Sequence, residues 1–343
     1  TKIIGKGEIM YYLNLSESKK KDIYPLGENF SGKSPAGESV DFTNYYLRKN
    51  GRPVFGISGE FHFSRCREEC WEDELEKMRL CGINIIATYT FWNHHEEKEG
   101  EFCFEGRRNL RRFITLCQEK GFYVIVRIGP FVHGEARNGG LPDWLYGKPF
   151  EVRENNEGFL SCTRRLYRKL AEQLSGLFYQ EGGPVIGVQI DNEYQHSAAP
   201  WEMTAGVTNE WISPGHSGED YMYRLRDIAR EEGIVAPFYT CTAWGGAVTP
   251  EEMMPLWGGY SYRPWIYPVY QGEHPATDEY IYADYHNNDL RECGEFKPHY
   301  SPENRPYACC EMGGGMLSTY YCRFQFAYKS VDAMANIKMA SGC

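Results

Sequence analysis

Residues 182–194 read Gly-Gly-Pro-Val-Ile-Gly-Val-Gln-Ile-Asp-Asn-Glu-Tyr, and this stretch decides the fold. Its middle is an apolar run of strand length that starts after a proline and ends in polar residues, which is typical of a buried parallel β-strand. We predict a strand over 184–191. Parallel α/β folds carry their functional groups at the carboxyl ends of strands, so the Asp-Asn-Glu at its end predicts a site there.

The same alternation of apolar strands and amphipathic helices extends on both sides of this stretch. The predicted strands lie near 54–59, 83–89, 122–128, 184–191, 237–242, 256–260 and 306–311, and the predicted helices near 70–81, 110–120, 158–180, 221–232 and 317–340. Strands that alternate with helices imply a parallel sheet. Seven strand–helix units predict an α/β fold, a (β/α)8 TIM barrel that in this chain is truncated before strand 8.

The segment before the barrel has a different composition. Residues 1–44 are polar and rich in Gly, Ser and Lys, and we predict an irregular N-terminal leader. The segment 45–55 predicts a β-hairpin, because Asn50-Gly51 supplies the two positive φ angles of a type I′ turn. We expect this hairpin to cap the bottom of the barrel. Residues 45–343 are then the catalytic barrel, incomplete at its C-terminus.

Composition excludes several classes of partner. The chain has 37 basic and 47 acidic residues, a net charge of −10, and no basic stripe, so nucleic acid is not an expected partner. No apolar run approaches the roughly 18 residues that span a bilayer, so no membrane partner is expected. Twelve scattered cysteines without a C-x-x-C pair, and the lack of a signal sequence, favour a reducing, cytoplasmic location.

Two carboxylates stand at predicted strand ends. Glu193 follows the fourth strand and Glu311 ends the seventh. Glycoside hydrolysis generally uses two carboxyl groups, one that protonates the leaving oxygen and one that attacks the anomeric carbon or activates water. The amide of Asn192 is placed to bind a sugar hydroxyl beside Glu193. The alternative for Glu311 is a buried ion pair with an arginine such as Arg127.

Four motifs follow one another in chain order: Gly59-Glu60-Phe61-His62, Thr90-Phe91-Trp92-Asn93-His94, the segment 127–145 and the segment 182–194. Together they resemble the family 35 β-galactosidases of the glycoside hydrolases. The resemblance is strong from about residue 45 to 195 and thinner afterwards, until the strand that ends at Glu311. Several long motifs in the right order are more specific than any single one.

The resemblance implies a retaining enzyme that removes terminal β-galactosyl units, with Glu193 as acid/base and Glu311 as nucleophile. The two carboxyl groups should lie about 5–5.5 Å apart. We expect anionic Glu311 to raise the pKa of Glu193 in the free enzyme. Tyr89, Glu135 and Asn192 are implied to hold the sugar hydroxyls. The predicted substrate-binding residues are Tyr89, Trp92, Asn93, Gly134, Glu135, Asn192 and Tyr194, with Trp92 as the favoured sugar platform.

Two departures from the family pattern leave the sugar open. His133-Gly134 stands where the family usually has Cys-Ala, and Met312-Gly313 stands where it usually has an aromatic residue. A roomier pocket would admit another glycone, so the same barrel acting on another β-glycone, or as an endo-acting glycanase, remains an alternative. From another class, a carbohydrate-binding protein without catalysis is the rival.

No cofactor is expected. His94 and His95 are adjacent and, if on a strand, point to opposite faces, so they and His62 are not expected to bind a metal. Glu60 is interpreted as either a structural ion pair or a substrate contact, and the segment 96–99 as a solvated turn. The expected partner is a β-galactoside or related glycan, and a homo-oligomer is left open.

Overall fold

The computed structural model describes residues 3–5, 8–10, 20, 22–241, 247–260, 305, 306 and 308–313. The helix predicted near 317–340 lies outside these residues. No described helix combines the length and the apolar character of a bilayer span.

The N-terminal part contains two small antiparallel sheets. The first pairs β1 (Ile3–Gly5) with β2 (Glu8–Met10). The second has four strands in chain order: β3 (Ser31–Lys33), β4 (Ser39–Phe42), β5 (Leu47–Lys49) and β6 (Arg52–Pro53). Asn50 and Gly51 have φ angles of 51° and 73°, so the predicted hairpin is confirmed. The described leader is less irregular than predicted, because β3 and β4 extend that hairpin through backbone hydrogen bonds.

The barrel region alternates strands and helices as expected. Its elements are β7 (Ser58–Glu60), α1 (Trp71–Leu80), β8 (Ile85–Tyr89), α2 (Trp92–His95), α3 (Leu110–Glu119), β9 (Tyr123–Gly129), α4 (Glu157–Leu174), β10 (Val185–Ile190), β11 (Ala199–Pro200), β12 (Trp211–Ile212), α5 (Gly218–Glu231), β13 (Phe238–Cys241), β14 (Met254–Tyr260) and β15 (Cys309–Gly313). Among the described residues, β7, β8, β9, β10, β13, β14 and β15 form one seven-stranded sheet in that order. Every neighbouring pair is parallel, as in a (β/α)8 barrel.

The helix ends follow from local chemistry. The side chains of Asn109 and Asn156 accept the backbone N–H groups of Arg112 and Gly158, and so cap α3 and α4. α4 ends at Leu174, six residues before its predicted end at 180. Ser175 has φ −54° and ψ 127°, outside the helical region, and the chain turns there towards β10.

Two packed layers hold the sheet. The inner faces of α3, α4 and α5 bury apolar side chains against it, among them Phe113, Leu166 and Leu225. A second cluster joins Phe42 and Leu47 of the N-terminal sheet to residues near the amino ends of the barrel strands. The four-stranded sheet therefore closes the bottom of the barrel, as predicted for the hairpin, and leaves the carboxyl ends of the strands on the opposite side.

Candidate active site

Backbone conformation sets two loops apart at the carboxyl edge of the sheet. Left-handed φ angles occur at His133 (49°) and Glu135 (45°) after β9, and at Asp191 (48°), Glu193 (49°) and Gln195 (66°) after β10. Each such residue costs about 1–3 kcal/mol of backbone strain, and residues of this kind concentrate at functional sites. These two loops carry the predicted acid/base and one predicted sugar-binding carboxylate.

Asn192 lies at the centre of the polar network between these loops. Its Oδ1 accepts hydrogen bonds from Arg127 Nη2 at 2.9 Å, the Tyr89 hydroxyl at 3.4 Å and Gln189 Nε2 at 3.5 Å. Three donors on Oδ1 fix the orientation of the amide. The structure therefore brings Tyr89 and Asn192 into contact, and their binding of sugar hydroxyls remains a prediction.

Arg127 pairs with Glu60. Its Nη1 lies 2.8 Å from Glu60 Oε1 and 2.7 Å from Oε2, and its guanidinium stacks on Tyr89 at 3.7 Å from the ring centroid. Burial acts to raise the pKa of Glu60, but the charge of Arg127 and a hydrogen bond from His62 outweigh it and hold that pKa below its ordinary value. Of the two interpretations of Glu60, the structure shows the ion pair.

A cavity of about 620 Å³ opens beside this pair, lined among others by Glu60, His62, Arg65, Gly134 and Glu135. Arg65 Nη1 lies 3.0 Å from His62 Nδ1, and His62 Nε2 lies 3.0 Å from Glu60 Oε1. Since arginine only donates, His62 accepts at Nδ1 and carries its proton on Nε2, which donates to Glu60. Arg65 also donates to the carbonyl of Glu135 at 3.1 Å, which ties the loop after β9 to β7.

Glu193 is half-buried and lies in residues 191–197, which we call the Glu193 loop. Backbone hydrogen bonds hold this loop in place. The carbonyl of Glu193 accepts the N–H groups of His196 and Ser197 at 2.9 and 3.0 Å. Asp191 N donates to the carbonyl of Gly129 at 2.9 Å, so the loop is also attached to the end of β9. These bonds fix the backbone that carries the Glu193 side chain.

Glu311 lies within β15, and only its backbone is described. Three pairs relate β10 to β15 across the sheet: Val188 with Phe238, Cys241 with Leu256, and Gly258 with Glu311. β15 is the third strand from β10 in this parallel sheet, and Glu193 follows the carboxyl end of β10. The backbone thus puts the two predicted catalytic residues on one edge of the sheet, three strands apart.

The sequence comparisons identify the family. The model of the glycosyl hydrolases family 35 matches residues 46–247, more than half of the chain. The chain belongs to glycosyl hydrolases family 35.

Curated relatives of the family agree with this assignment. The chain is 41% identical over 212 residues to beta-galactosidase 14 of Arabidopsis thaliana, covering 61% of this chain and 22% of that protein. It is 39% identical over 212 residues to the beta-galactosidase of Mus musculus, covering 60% of this chain and 32% of that protein. The chain therefore spans about a quarter of the length of such relatives. An exo-beta-1,4-mannosidase from Opitutaceae bacterium strain TAV5 aligns in structure with a TM-score of 0.46 at 14% identity, over 70% of this chain and 41% of that one.

Trp92 of this family 35 chain does not face the site, which corrects the predicted sugar platform. The side chain is fully buried, its Nε1 donates to Glu96 Oε2 at 2.6 Å, and its ring packs edge-on against Trp144. No face is left for a sugar. The neighbouring Asn93 donates to the carbonyl of Arg137 at 3.0 Å, and its contact with substrate remains a prediction.

Tyr194 is likewise part of the core rather than of the sugar site. It is fully buried, its hydroxyl accepts the N–H of Ser217 at 2.9 Å, and its ring lies 4.4 Å from that of Tyr221 on α5. Burial raises the pKa of Tyr194 to about 12. Its buried ring and hydroxyl are therefore not available to a sugar.

Gly134 lines the cavity as predicted but does not make it roomier. A Cβ at this position would lie 2.9 Å from Phe91 Cε1 and 3.3 Å from Tyr89 Cε2. The rings of Phe91 and Tyr89 already occupy the space that a missing side chain would leave. Glycine is required here for two reasons: there is no room for a Cβ, and the φ of 55° is strained for other residues.

Two buried charged residues near the site gave no usable signal in the sequence. Arg153 is fully buried and bonds to Asp191, although it lies in a polar segment far along the chain from that residue. Glu96, interpreted as part of a solvated turn, is fully buried and accepts Arg165 Nη2 at 2.9 Å. Arg153 and Glu96 each stand next to another charged residue in the sequence, as many exposed charges do, so neither position stands out.

The three histidines have separate partners. His62 contacts Glu60 and Arg65, Nδ1 of His94 lies 2.8 Å from the Ser64 hydroxyl, and Nδ1 of His95 lies 3.1 Å from the carbonyl of Cys103. Over the described ranges no group of three or more His, Cys, Asp or Glu residues converges as metal ligands would.

Proposed function

We propose that this family 35 protein is a retaining glycoside hydrolase that removes terminal β-galactosyl residues, with Glu193 as acid/base and Glu311 as nucleophile. The observation that carries the proposal is the strained Asn192-Glu193 turn after β10, whose amide is oriented by Arg127 and Tyr89. Glu311 lies on β15, three strands away from β10 in the same parallel sheet. Both carboxylates come from strand ends, where barrel enzymes hold their catalytic groups.

The first half-reaction forms a glycosyl–enzyme bond. The carboxylate of Glu311 attacks the anomeric carbon as the bond to the leaving oxygen breaks, and Glu193 donates its proton to that oxygen. In the second half, Glu193 is a carboxylate and takes a proton from water. The water oxygen attacks the anomeric carbon, and Glu311 leaves. Two inversions at one carbon give net retention.

Recognition of the glycone is proposed to use groups that the geometry leaves available. The side-chain amide of Asn192, whose Oδ1 is held by Arg127, is suited to donate to a hydroxyl next to the anomeric carbon. Glu135 keeps 44% of its side chain exposed at the cavity and is suited to accept from sugar hydroxyls. The preference for galactose is drawn from the names of relatives such as beta-galactosidase 14 of Arabidopsis thaliana.

A panel of nitrophenyl glycosides with the full-length protein tests the proposal. We expect release from the β-galactoside, its abolition by Glu311→Gln, and no loss with Glu172→Gln on the outer helix α4. Proton NMR should show the β anomer of the sugar forming first. If the protein cleaves only a different β-glycoside, the proposed sugar is wrong and the proposed mechanism stands. Formation of the α anomer first would reject retention, and a folded protein that cleaves no glycoside in the panel or in longer glycans would reject the enzyme.

A further inference from the structure

The Glu193 loop is held in place by a buried arginine that nothing in the proposed chemistry uses. Arg153 Nη1 donates to the carbonyls of Ser197 and Ser213 at 2.6 and 3.1 Å. Its Nη2 donates to the carbonyl of Asn192 at 3.1 Å and to Asp191 Oδ1 at 2.8 Å. One guanidinium thus binds the peptide on both sides of Glu193.

The partners of Arg153 belong to several elements. Its guanidinium stacks on Phe131, 3.7 Å from the ring centroid, in the loop after β9. Its ion-pair partner Asp191 also accepts the Tyr221 hydroxyl of α5 at 3.2 Å and the N–H of Asn192 at 2.7 Å. The position of the Glu193 backbone is therefore set against β9, β12 and α5 together.

Only arginine fits this arrangement. The bonds leave Arg153 in several directions within the plane of one guanidinium, and a lysine ammonium cannot present donors in that fork while its stem stacks on a ring. Both Arg153 and Asp191 have fully buried side chains. A buried ion pair gives little net stability compared with apolar residues, so its presence favours a role in specifying geometry. Burial raises the pKa of Asp191 against the opposing charge of Arg153, so the ionised carboxylate costs stability, which agrees with a role in geometry rather than in stability.

We propose that Arg153, together with Asp191, is the positioning residue that aims the carboxyl group of Glu193 at the glycosidic oxygen. The inference rests on the proposed function, because it gives Glu193 its role as acid. Catalytic groups must be held to within about 0.5 Å of the productive geometry. The left-handed backbone at Asp191, Glu193 and Gln195 relaxes unless other groups restrain it, and Arg153 supplies that restraint.

Leaving-group dependence separates positioning of the acid from simple support of the fold. A dinitrophenolate leaves without a proton, whereas a phenolate needs the acid. We expect Arg153→Lys in the full-length protein to lower kcat/KM on phenyl β-galactoside about 100-fold, the cost of a misplacement of about 1 Å. On dinitrophenyl β-galactoside, the loss in the glycosylation step should be much smaller. If the panel above identifies another glycone, the same pair of aglycones is used on that sugar.

A matched control and a milder variant accompany this test. Arg165→Lys makes the same change at an arginine that pairs with the fully buried Glu96 and lies outside the Glu193 loop. It should not lower kcat/KM on the phenyl glycoside more than on the dinitrophenyl glycoside. Tyr221→Phe removes the hydroxyl that donates to Asp191. It should also lower kcat/KM more on the phenyl than on the dinitrophenyl glycoside, but by a smaller factor, and it keeps the test available if Arg153→Lys does not fold. Selective loss on the phenyl glycoside supports the proposal. Equal loss on both substrates, or no loss, overturns it while the hydrolase function stands. A wild-type protein that cleaves neither overturns both.

Discussion

The two sides of the candidate site are built differently. Glu193 stands on a loop that a fully buried ion pair holds from behind, with Arg153 and Asp191 both out of contact with solvent. Across the site, Glu60 and Glu135 line an open cavity, and their side chains are 25% and 44% exposed. A group that transfers a proton needs a fixed position, whereas groups that bind hydroxyls must remain open to an incoming sugar. We therefore expect the proposed acid, Glu193, to depend on the buried groups behind its loop more than on burial of its own carboxyl group.

The largest effect should come from the rigid side. Glu193→Gln keeps the shape of the side chain but removes the proton donor, so kcat/KM on phenyl β-galactoside should fall about 10²–10⁴-fold. Thermal unfolding should change little, because Glu193 is only half-buried. Glu172→Gln, an exposed change on α4, is the control for steady-state kinetics. Unchanged kcat/KM in Glu193→Gln would show that Glu193 is not the acid and that the two sides of the site do not differ in this role.

The next effect concerns the buried layer under the open side. Burial lowers the pKa of His95 to about 4, and its side chain is fully buried between Phe63 and Phe104. The unfolded chain therefore takes up this proton first as pH falls, so stability that is present above pH 6.5 is lost towards pH 4. Summed over that interval the loss is about 3 kcal/mol. His95→Phe should remove it, as measured by urea unfolding at several pH values. Parallel pH profiles in the two proteins would contradict the assignment.

A smaller loss of stability should follow when the ion pair of the open side is broken. Glu60→Gln leaves Arg127, which is 2% exposed, without its carboxylate. Because a quarter of Glu60 is exposed, we expect about 2 kcal/mol, below the range for a fully buried pair. The pKa of Glu60 is lowered, so the wild-type advantage should be present above its ordinary value and vanish as pH falls through the lowered one.

The free energy of unfolding of Glu60→Gln, measured by chemical denaturation, should be compared with that of the control variant Glu76→Gln. Glu76 pairs with Arg79 on the exposed face of α1 and gives a carboxylate of the same type without a buried partner. We expect no measurable change there. Equal effects of the two substitutions would show that Arg127 does not depend on Glu60.

The smallest effect should come from the cavity wall. Gly134→Ala forces a Cβ to 2.9 Å from Phe91 at a φ of 55°, and should cost about 1–2 kcal/mol of stability and raise KM. Gly147→Ala is the matched control, since Gly147 has a φ of 76° with nothing within 4 Å. The difference between the two variants measures the contacts of the added Cβ with Phe91 and Tyr89. No difference would mean that only backbone strain acts at Gly134.

The sequence by itself determined the order of the elements and the place of the carboxylates. All seven predicted strands occur in the sheet, and four of the predicted helices occur in the described residues. They could be predicted because the spacing of apolar residues and the capping residues depend only on residues that are near one another in the sequence. Asn192 and Glu193 could be assigned to a strand end for the same reason. The motifs that resemble family 35 lie in this part of the chain, and the family match covers it.

Only the tertiary structure decided which side chains face the site. Trp92 and Tyr194 follow strands, as Glu193 does, yet their large rings turn into the core, where they displace more water. Arg127 pairs with Glu60, 67 residues away, and Arg153 with Asp191, 38 residues away. Such partners are chosen when the barrel folds and a buried charge must find the nearest opposite one, and no local pattern in the sequence records that choice.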